Sequence, residues 1–105
     1  MNYQEMSDEE INKLVARSIG PSYAALDDCV VHIVNNVWTE FDPCNLWGDV
    51  GTIAEENFIS FDQHYNGSYA KVWGYSNRGL HEVSVLRSDL KKGICIVFLM
   101  MKGGD

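Results

Sequence analysis

The sequence has little proline, few cysteines and no long apolar run, and each shortage excludes a class of protein. Two prolines and 9 glycines in 105 residues, with 46% hydrophobic residues, exclude a collagenous or disordered chain. The longest apolar run, residues 94–101, falls far short of the roughly 20 residues that cross a bilayer. No basic segment followed by an apolar run marks a signal peptide. Because typical domains have roughly 100–150 residues, we expect one cytoplasmic domain over residues 1–105.

Clustered metal ligands and phosphate-binding glycine motifs are also missing. The three cysteines lack the even count of a secreted disulfide framework and form no C-x-x-C pair: Cys29, Cys44 and Cys95. The three histidines stand far apart: His32, His64 and His81. No G-x-G-x-x-G or P-loop spacing occurs. We therefore expect no membrane, metal, cofactor or catalytic site, and an enzyme using Cys44 as nucleophile with a histidine base is the weaker alternative.

Basic residues are outnumbered, with 8 Lys and Arg against 15 Asp and Glu and a net charge of −7. This charge disfavours generic binding to a phosphate backbone, so nucleic acid is not the expected partner. Residues 1–62 hold 12 acidic and 2 basic side chains, whereas residues 63–105 hold 3 acidic and 6 basic ones. The acids are too interspersed for DNA mimicry. This uneven distribution of charge along the chain favours a protein partner or self-association. The basic side chains of residues 63–105 form either a modest basic face or scattered, solvated charges.

The residues present predict a helix at the beginning of the chain. Ser7 and Glu10 have the spacing of a capping box. Apolar residues then follow on one helical face: Ile11, Leu14, Val15 and Ile19. Gly20 and Pro21 end this helix.

Strands are predicted in two regions. Residues 29–34 and 37–41 read as a hairpin because Asn35 and Asn36 suit the positive φ angles of a type I′ turn. Later in the chain, turn residues separate three further strands, which predict an antiparallel meander: residues 58–61, 69–75 and 82–86.

Two more helices are expected. Asn45 is a good N-cap for a helix that runs to about Asn57, after the turn at Asp42 and Pro43. Residues 88–89 cap a last helix that ends near Lys102. Its middle is apolar on every face, so it is either deeply buried or covered by a second subunit in a homodimer.

Together these elements predict an α+β domain, in which an antiparallel sheet of four or five strands packs with the N-terminal, middle and C-terminal helices. Helices on both faces, as in an α/β/α sandwich, would explain the all-apolar last helix.

Three segments of the sequence, in order along the chain, resemble the motifs of one known protein family. Residues 7–16, S-D-E-E-I-N-K-L-V-A, resemble the family's opening S-D-x-E-I-N-K-x-V-A. Residues 41–45, F-D-P-C-N, with Asp49, Ile53 and residues 56–60, resemble its F-D-P-C-N-N-P-A-D-x-x-P-I-I-x-E-N-x-I-S. Leu90 and residues 96–101 resemble its closing L-R-A-A-M-I-V-F-L-M-M. The chain departs from the family at residues 46–47 and 51–52. The three segments resemble the NinX-like family of lambdoid phage and prophage proteins. This resemblance implies a small phage or prophage accessory protein and assigns it no reaction.

These observations lead to two functional hypotheses. The first is a protein that binds a host or phage protein, and its candidate binding residues lie in the loop of residues 42–49: Asp42, Cys44, Asn45, Trp47 and Asp49. The alternative is a small-ligand or nucleotide-sponge protein, whose pocket would be lined by Trp38, Trp47 and Trp73 with that loop at its mouth.

Overall fold

The computed structural model describes residues 2–103 and has the predicted α+β class. Within this range the helices are α1 (Asp8–Ile19), α2 (Trp47–Glu56) and α3 (Leu90–Met101). The strands are β1 (Tyr23–Ala25), β2 (Val30–Val34), β3 (Val37–Glu40), β4 (Ser60–Asn66), β5 (Tyr69–Ser76) and β6 (Gly79–Leu86). Short 3-10 turns, Tyr3–Glu5 and Arg87–Asp89, precede α1 and α3. None of the helices in residues 2–103 has the length and apolar character needed to span a bilayer.

Helix α1 begins and ends where the sequence predicts. Ser7 Oγ accepts a hydrogen bond from the Glu10 amide at 3.2 Å, and Glu10 Oε1 accepts one from the Ser7 amide at 3.5 Å. This reciprocal pair satisfies two amides that a helix leaves without an internal partner. Gly20 ends the helix with a φ of 147°. Ile11 and Val15 are completely buried on the inner face.

Strands β1, β2 and β3 form one antiparallel sheet in that order. The predicted hairpin is confirmed, because Asn35 and Asn36 join β2 to β3 with φ values of 51° and 64°. Strand β1 was not expected from its Tyr-Ala-Ala sequence, which has no β-branched residue. It pairs with β2 in a register that sets Tyr23 opposite His32.

Strands β4, β5 and β6 form a second antiparallel sheet, which confirms the meander but not the bounds of its strands. The predicted first strand begins too early, since Phe58 has a φ of 54° and cannot be extended. This residue belongs to the end of α2, where the Ile59 amide donates to the Ala54 carbonyl at 2.9 Å in a Schellman-type cap. Strand β6 begins earlier than predicted, because Gly79 already pairs with Ser76.

The predicted side-chain caps of the two later helices are wrong. The Asn45 side chain donates to the Asp42 carboxylate at 3.1 Å, and Leu46 takes the N-cap position of α2 without a side-chain hydrogen bond. At α3, the 3-10 turn Arg87–Asp89 leads directly into the helix. Asp89 occupies the N-cap position and makes no capping hydrogen bond there.

Helix α3 lies in the cluster of buried side chains that joins the three helices to both sheets. It packs against β5 and β6, and also against α1 and α2. Its residues from Gly93 to Leu99 are buried. The apolar surface on every face of α3 is therefore explained within one copy of the chain. A homodimer over this helix stays a prediction.

The prediction of one sheet with four or five strands is wrong, since the six strands form two separate three-stranded sheets. The first sheet packs on α1, and the second packs on α3. Each sheet thus buries its inner face against a different helix, and no strand of one sheet pairs with a strand of the other. The α/β/α sandwich is not formed either, because the outer side of the second sheet carries solvent-exposed side chains such as Tyr75.

Candidate functional site

Four of the five predicted site residues meet in one hydrogen-bonded turn before α2. The Asp42 amide donates to Asp49 Oδ2 at 2.9 Å, which fastens the turn to the first turn of α2. The Asp42 carboxylate accepts from the Asn45 side chain. Cys44 and Pro43 are buried between these groups. The sequence pattern therefore builds a rigid turn, and most of its polar atoms are used within the chain.

Asn12 on α1 holds this turn and was not among the predicted site residues. Its side-chain amide donates to Asp42 Oδ1 at 2.7 Å, and its carbonyl oxygen accepts from the Cys44 amide at 3.1 Å. Asn12 is only 7% exposed. The spacing of 30 residues between Asn12 and Asp42 hides this contact from sequence reasoning. The N-K-x-V-A segment and the D-P-C-N segment thus meet in the fold.

The Cys44 thiol is buried beside Cys95, and both are free cysteines. Burial raises the pKa of the Cys95 thiol well above its ordinary value, and the neighbouring Cys44 adds to the effect. The histidines lie elsewhere: His32 stacks on Tyr23, His81 contacts Ser76, and His64 is exposed on β4. The described contacts of Cys44 therefore include no histidine base for a nucleophile. Within residues 2–103, no group of three His, Cys, Asp or Glu side chains is arranged to hold a metal ion.

Trp47 stands apart from the turn, at the beginning of α2. Its ring lies 6.0 Å from that of Phe61, and Lys91 Nζ lies 4.8 Å from its centroid. The three-tryptophan pocket is not assembled: Trp38 is 61% exposed on β3 of the first sheet, and Trp73 lines a groove on the second sheet that neither of the others lines. The nucleotide alternative thereby loses the residues on which it was based.

One residue of the turn network, Asp49, also faces a cleft of about 490 Å³ between the helices and the first sheet. One wall is α2, whose Asp49, Thr52, Ile53 and Glu56 follow the i, i+3, i+4, i+7 spacing of a single helical face. The other walls come from the ends of α1 and α3 and from the first sheet: Ser18, Ile19, Tyr23, His32, Phe41, Phe98 and Lys102. The cleft has the size of a small-molecule site and combines an aromatic wall with several polar and charged side chains.

Tyr23 and His32 form the aromatic wall of the cleft. Their rings are stacked with centroids 4.2 Å apart and an interplanar angle of 4°. Tyr23 also meets the buried Phe41 edge-on, at 4.7 Å. Burial raises the pKa of the Tyr23 hydroxyl, and the Asp49 and Glu56 carboxylates raise it further. Two carboxylates, Asp49 and Glu56, therefore act on this wall of the cleft.

A second candidate surface is the outer side of the second sheet. Residues opposite one another in a sheet share a face, so Tyr75 lies beside Leu80, and Trp73 beside Glu82. We call this surface the outer face; its residues are Asp62, Tyr65, Tyr69, Lys71, Trp73, Tyr75, Leu80, Glu82 and Leu86. A shallow groove of about 340 Å³ runs over seven of these residues. Tyr75 is 67% exposed, although it is a large aromatic residue.

Sequence reasoning missed both surfaces for different reasons. The helical spacing of Asp49 and Glu56 indicates a shared helix face, but it does not show which element lies opposite that face. The outer face follows from the alternation in residues 69–75, in which Lys71, Trp73 and Tyr75 take one side. Which side faces water was not predictable, since that depends on where α3 packs.

The comparisons with known proteins agree with the resemblance in the sequence. The family model described as Bacteriophage P22, NinX matches residues 2–102, which include all the helices and strands given above. No curated protein matches the chain. The family's description names no reaction, ligand or partner, so a functional site has to be argued from the geometry.

Proposed function

Because the chain belongs to the bacteriophage P22 NinX family, we propose that this small phage protein acts by binding a basic protein in the host cytoplasm. The observation that carries the proposal is the outer face, an unpartnered sheet surface rich in aromatic residues. Tyrosine and tryptophan dominate the energetic centres of protein interfaces. The outer face has three tyrosines and a tryptophan within one sheet: Tyr65, Tyr69, Trp73 and Tyr75.

The charge of the chain supports a basic partner. The sequence has a net charge of −7, and complementary charge steers partners to one another. On the outer face, Lys71 is paired with Glu82 at 3.0 Å and lies over the Tyr65 ring at 5.0 Å. Among the described residues Asp62 makes no ion pair, so its carboxylate adds a negative charge to this surface. An apolar protein surface with basic residues around its edge would match it.

The basic side chains support a protein rather than a nucleic acid as partner. Arg78 donates to the Met100 carbonyl at 2.7 Å, and Arg87 donates to the Gln63 carbonyl at 2.6 Å. Lys92 donates to the Met6 carbonyl at 2.6 Å and lies 3.8 Å from Asp8. Each of these cations donates to a different backbone carbonyl, which suits the interpretation of scattered charges.

The test is quantitative affinity capture from phage-infected cells with three forms of the protein. The double variant Tyr75→Ala, Leu80→Ala removes a cross-strand pair of the outer face, and Trp38→Ala removes an equally exposed aromatic residue from the other sheet as a matched control. We expect a basic protein to be captured by the wild type and by Trp38→Ala. Its capture should fall roughly tenfold or more with the double variant, as for interface hot spots.

Two results would contradict the proposal. The first is capture that the double variant does not change, measured again by calorimetry with the purified partner. The second is capture that disappears after nuclease treatment, since this would make the partner a nucleic acid. Circular dichroism should show that all three forms are equally folded.

A further inference from the structure

We infer that the cleft between α2 and the first sheet is a separate binding site, which takes an organic ammonium ion with an apolar or aromatic body. This inference does not rest on the outer face, because the two surfaces share no lining residue.

The shape of the cleft suits a small organic molecule. Its volume of about 490 Å³ lies within the range of ligand pockets. The floor is apolar, because Phe41, Ile53 and Phe98 are all buried there. The stacked pair of Tyr23 and His32 offers a flat wall for the body of the ligand. Burial of an apolar body on this floor would supply part of the affinity.

The charge of the cleft selects a cation. Asp49 and Glu56 lie seven residues apart and so project from the same side of α2. Asp49 Oδ2 accepts the Asp42 amide, which holds this carboxylate in place. Glu56 is exposed at the rim, and its carboxylate has no hydrogen bond or ion pair among the described residues. A phosphate or carboxylate ligand would meet repulsion from both groups, whereas an ammonium group would be attracted by both.

Lys102 from the end of α3 already places an ammonium group at this site. Its Nζ lies 5.4 Å from the centroid of Phe98, a ring that lines the cleft. Cations bind the faces of aromatic rings in this way. Among the described residues, the basic side chains that line the cleft are Lys102 and His32. The Lys102 ammonium group already makes a cation–π contact with Phe98, so it would compete with a cationic ligand for this ring.

The experiment is a titration followed by two-dimensional NMR, with phenethylamine as the cationic probe and 3-phenylpropionate as an anionic probe of similar size. Phenethylamine should shift the amide signals of the cleft residues, and 3-phenylpropionate should not. The variant Asp49→Asn, Glu56→Gln keeps the acceptor for the Asp42 amide but removes both charges. It should weaken phenethylamine binding roughly tenfold, because two exposed ion pairs are lost.

Two further variants separate this inference from general charge effects. Lys102→Met should tighten phenethylamine binding, since it removes the competing cation. Glu82→Gln, on the outer face, should leave the binding unchanged. If Asp49→Asn disturbs the fold, Glu56→Gln alone provides the test. The inference is wrong if phenethylamine does not shift the cleft signals, if both probes bind equally, or if Glu82→Gln weakens binding as much as the cleft variant does. Each of these outcomes is independent of whether a protein partner binds the outer face.

Discussion

At the scale of single residues, Asn12 links the two most distinctive segments of the sequence. Its side chain uses both its donor and its acceptor on Asp42 and Cys44, across 30 and 32 residues of chain. A buried side-chain amide that makes its hydrogen bonds stabilises the fold, and removing it leaves the groups it bonded to without a partner. The D-P-C-N segment is therefore held to α1 by Asn12, and its role in binding stays a prediction.

Asn12→Ala should lower the free energy of unfolding by about 2 kcal/mol, because the buried Cys44 amide then has no acceptor. Asn45→Ala removes an exposed hydrogen bond to the same carboxylate and should cost about 0.5 kcal/mol or less. Urea denaturation of both variants measures the difference. Equal losses would show that burial of Asn12 has no special role.

Tyr23 predicts a loss of stability at alkaline pH. Its pKa is raised in the folded protein above the ordinary value of about 10, so the folded state holds the proton more strongly than the unfolded chain. The resulting stabilisation is complete below pH 10 and is lost as the pH rises through the folded-state pKa. The melting temperature of Tyr23→Phe should therefore fall less between pH 9 and 11 than that of the wild type. Parallel curves for the two proteins would contradict this.

The cysteines should differ in their reaction with a thiol reagent. Cys29 is partly exposed, whereas Cys44 and Cys95 are 6% and 0% exposed. In the native protein we expect Cys29 to react first, because a thiol reagent can reach its sulfur. The two buried cysteines should react only after unfolding exposes them. Cys29→Ser should abolish the fast phase in an absorbance assay. A fast phase that survives this substitution would place a reactive thiol in the core.

At the scale of elements, the approach of α3 to the second sheet depends on a missing side chain. A Cβ on Gly93 would lie 3.0 Å from Val85 Cγ2 and 3.2 Å from Val72 Cγ2. Both valines are β-branched and buried, so they have little freedom to move aside. In α2, by contrast, a Cβ on Gly51 would meet no atom within 4 Å.

The two glycines should therefore respond in opposite ways to alanine. Gly51→Ala should raise the free energy of unfolding by about 0.5–1 kcal/mol, which is the difference in helix propensity. Gly93→Ala should lower it by about 1 kcal/mol, because overpacking against the valines exceeds the same gain in propensity. Thermal denaturation distinguishes the cases, and a stabilised Gly93→Ala protein would show that the sheet yields easily.

Many of the helices, strands and turns were predictable from residues that lie close together in the sequence. The capping box of α1 and the Asn35–Asn36 turn depend on residues three or fewer apart, and both are confirmed. The predicted start of β4 is wrong because Phe58 adopts a φ of 54°. This value is unusual for a bulky residue, and no sequence pattern indicates it. The division into two sheets depends on which helix each sheet covers, and no local pattern contains that information.

At the scale of the whole molecule, one core connects both sheets and all three helices. Small proteins with one core usually unfold in a single cooperative step. Urea unfolding followed by tryptophan fluorescence and by far-ultraviolet circular dichroism should therefore give coincident curves. Separate transitions would show that the first sheet, which carries Trp38, unfolds independently of the second sheet, which carries Trp73.

The candidate sites were less predictable than the fold. Asp49 was predicted as a site residue, and it does line the cleft. Its companions Tyr23, His32 and Glu56 come from three separate elements, and the packing of α2 near the first sheet brings Asp49 and Glu56 close to Tyr23 and His32. The binding roles of all these residues stay predictions until the titrations are done.

The position of α3 in the chain has a consequence for synthesis on the ribosome. Every other described element precedes it, yet α3 supplies the buried residues against which β5, β6, α1 and α2 pack. The faces of the earlier elements that pack on α3 are therefore uncovered when those elements leave the ribosome. They can complete their packing only after residues 90–101 have emerged from the exit tunnel, so the final step of folding follows the translation of α3.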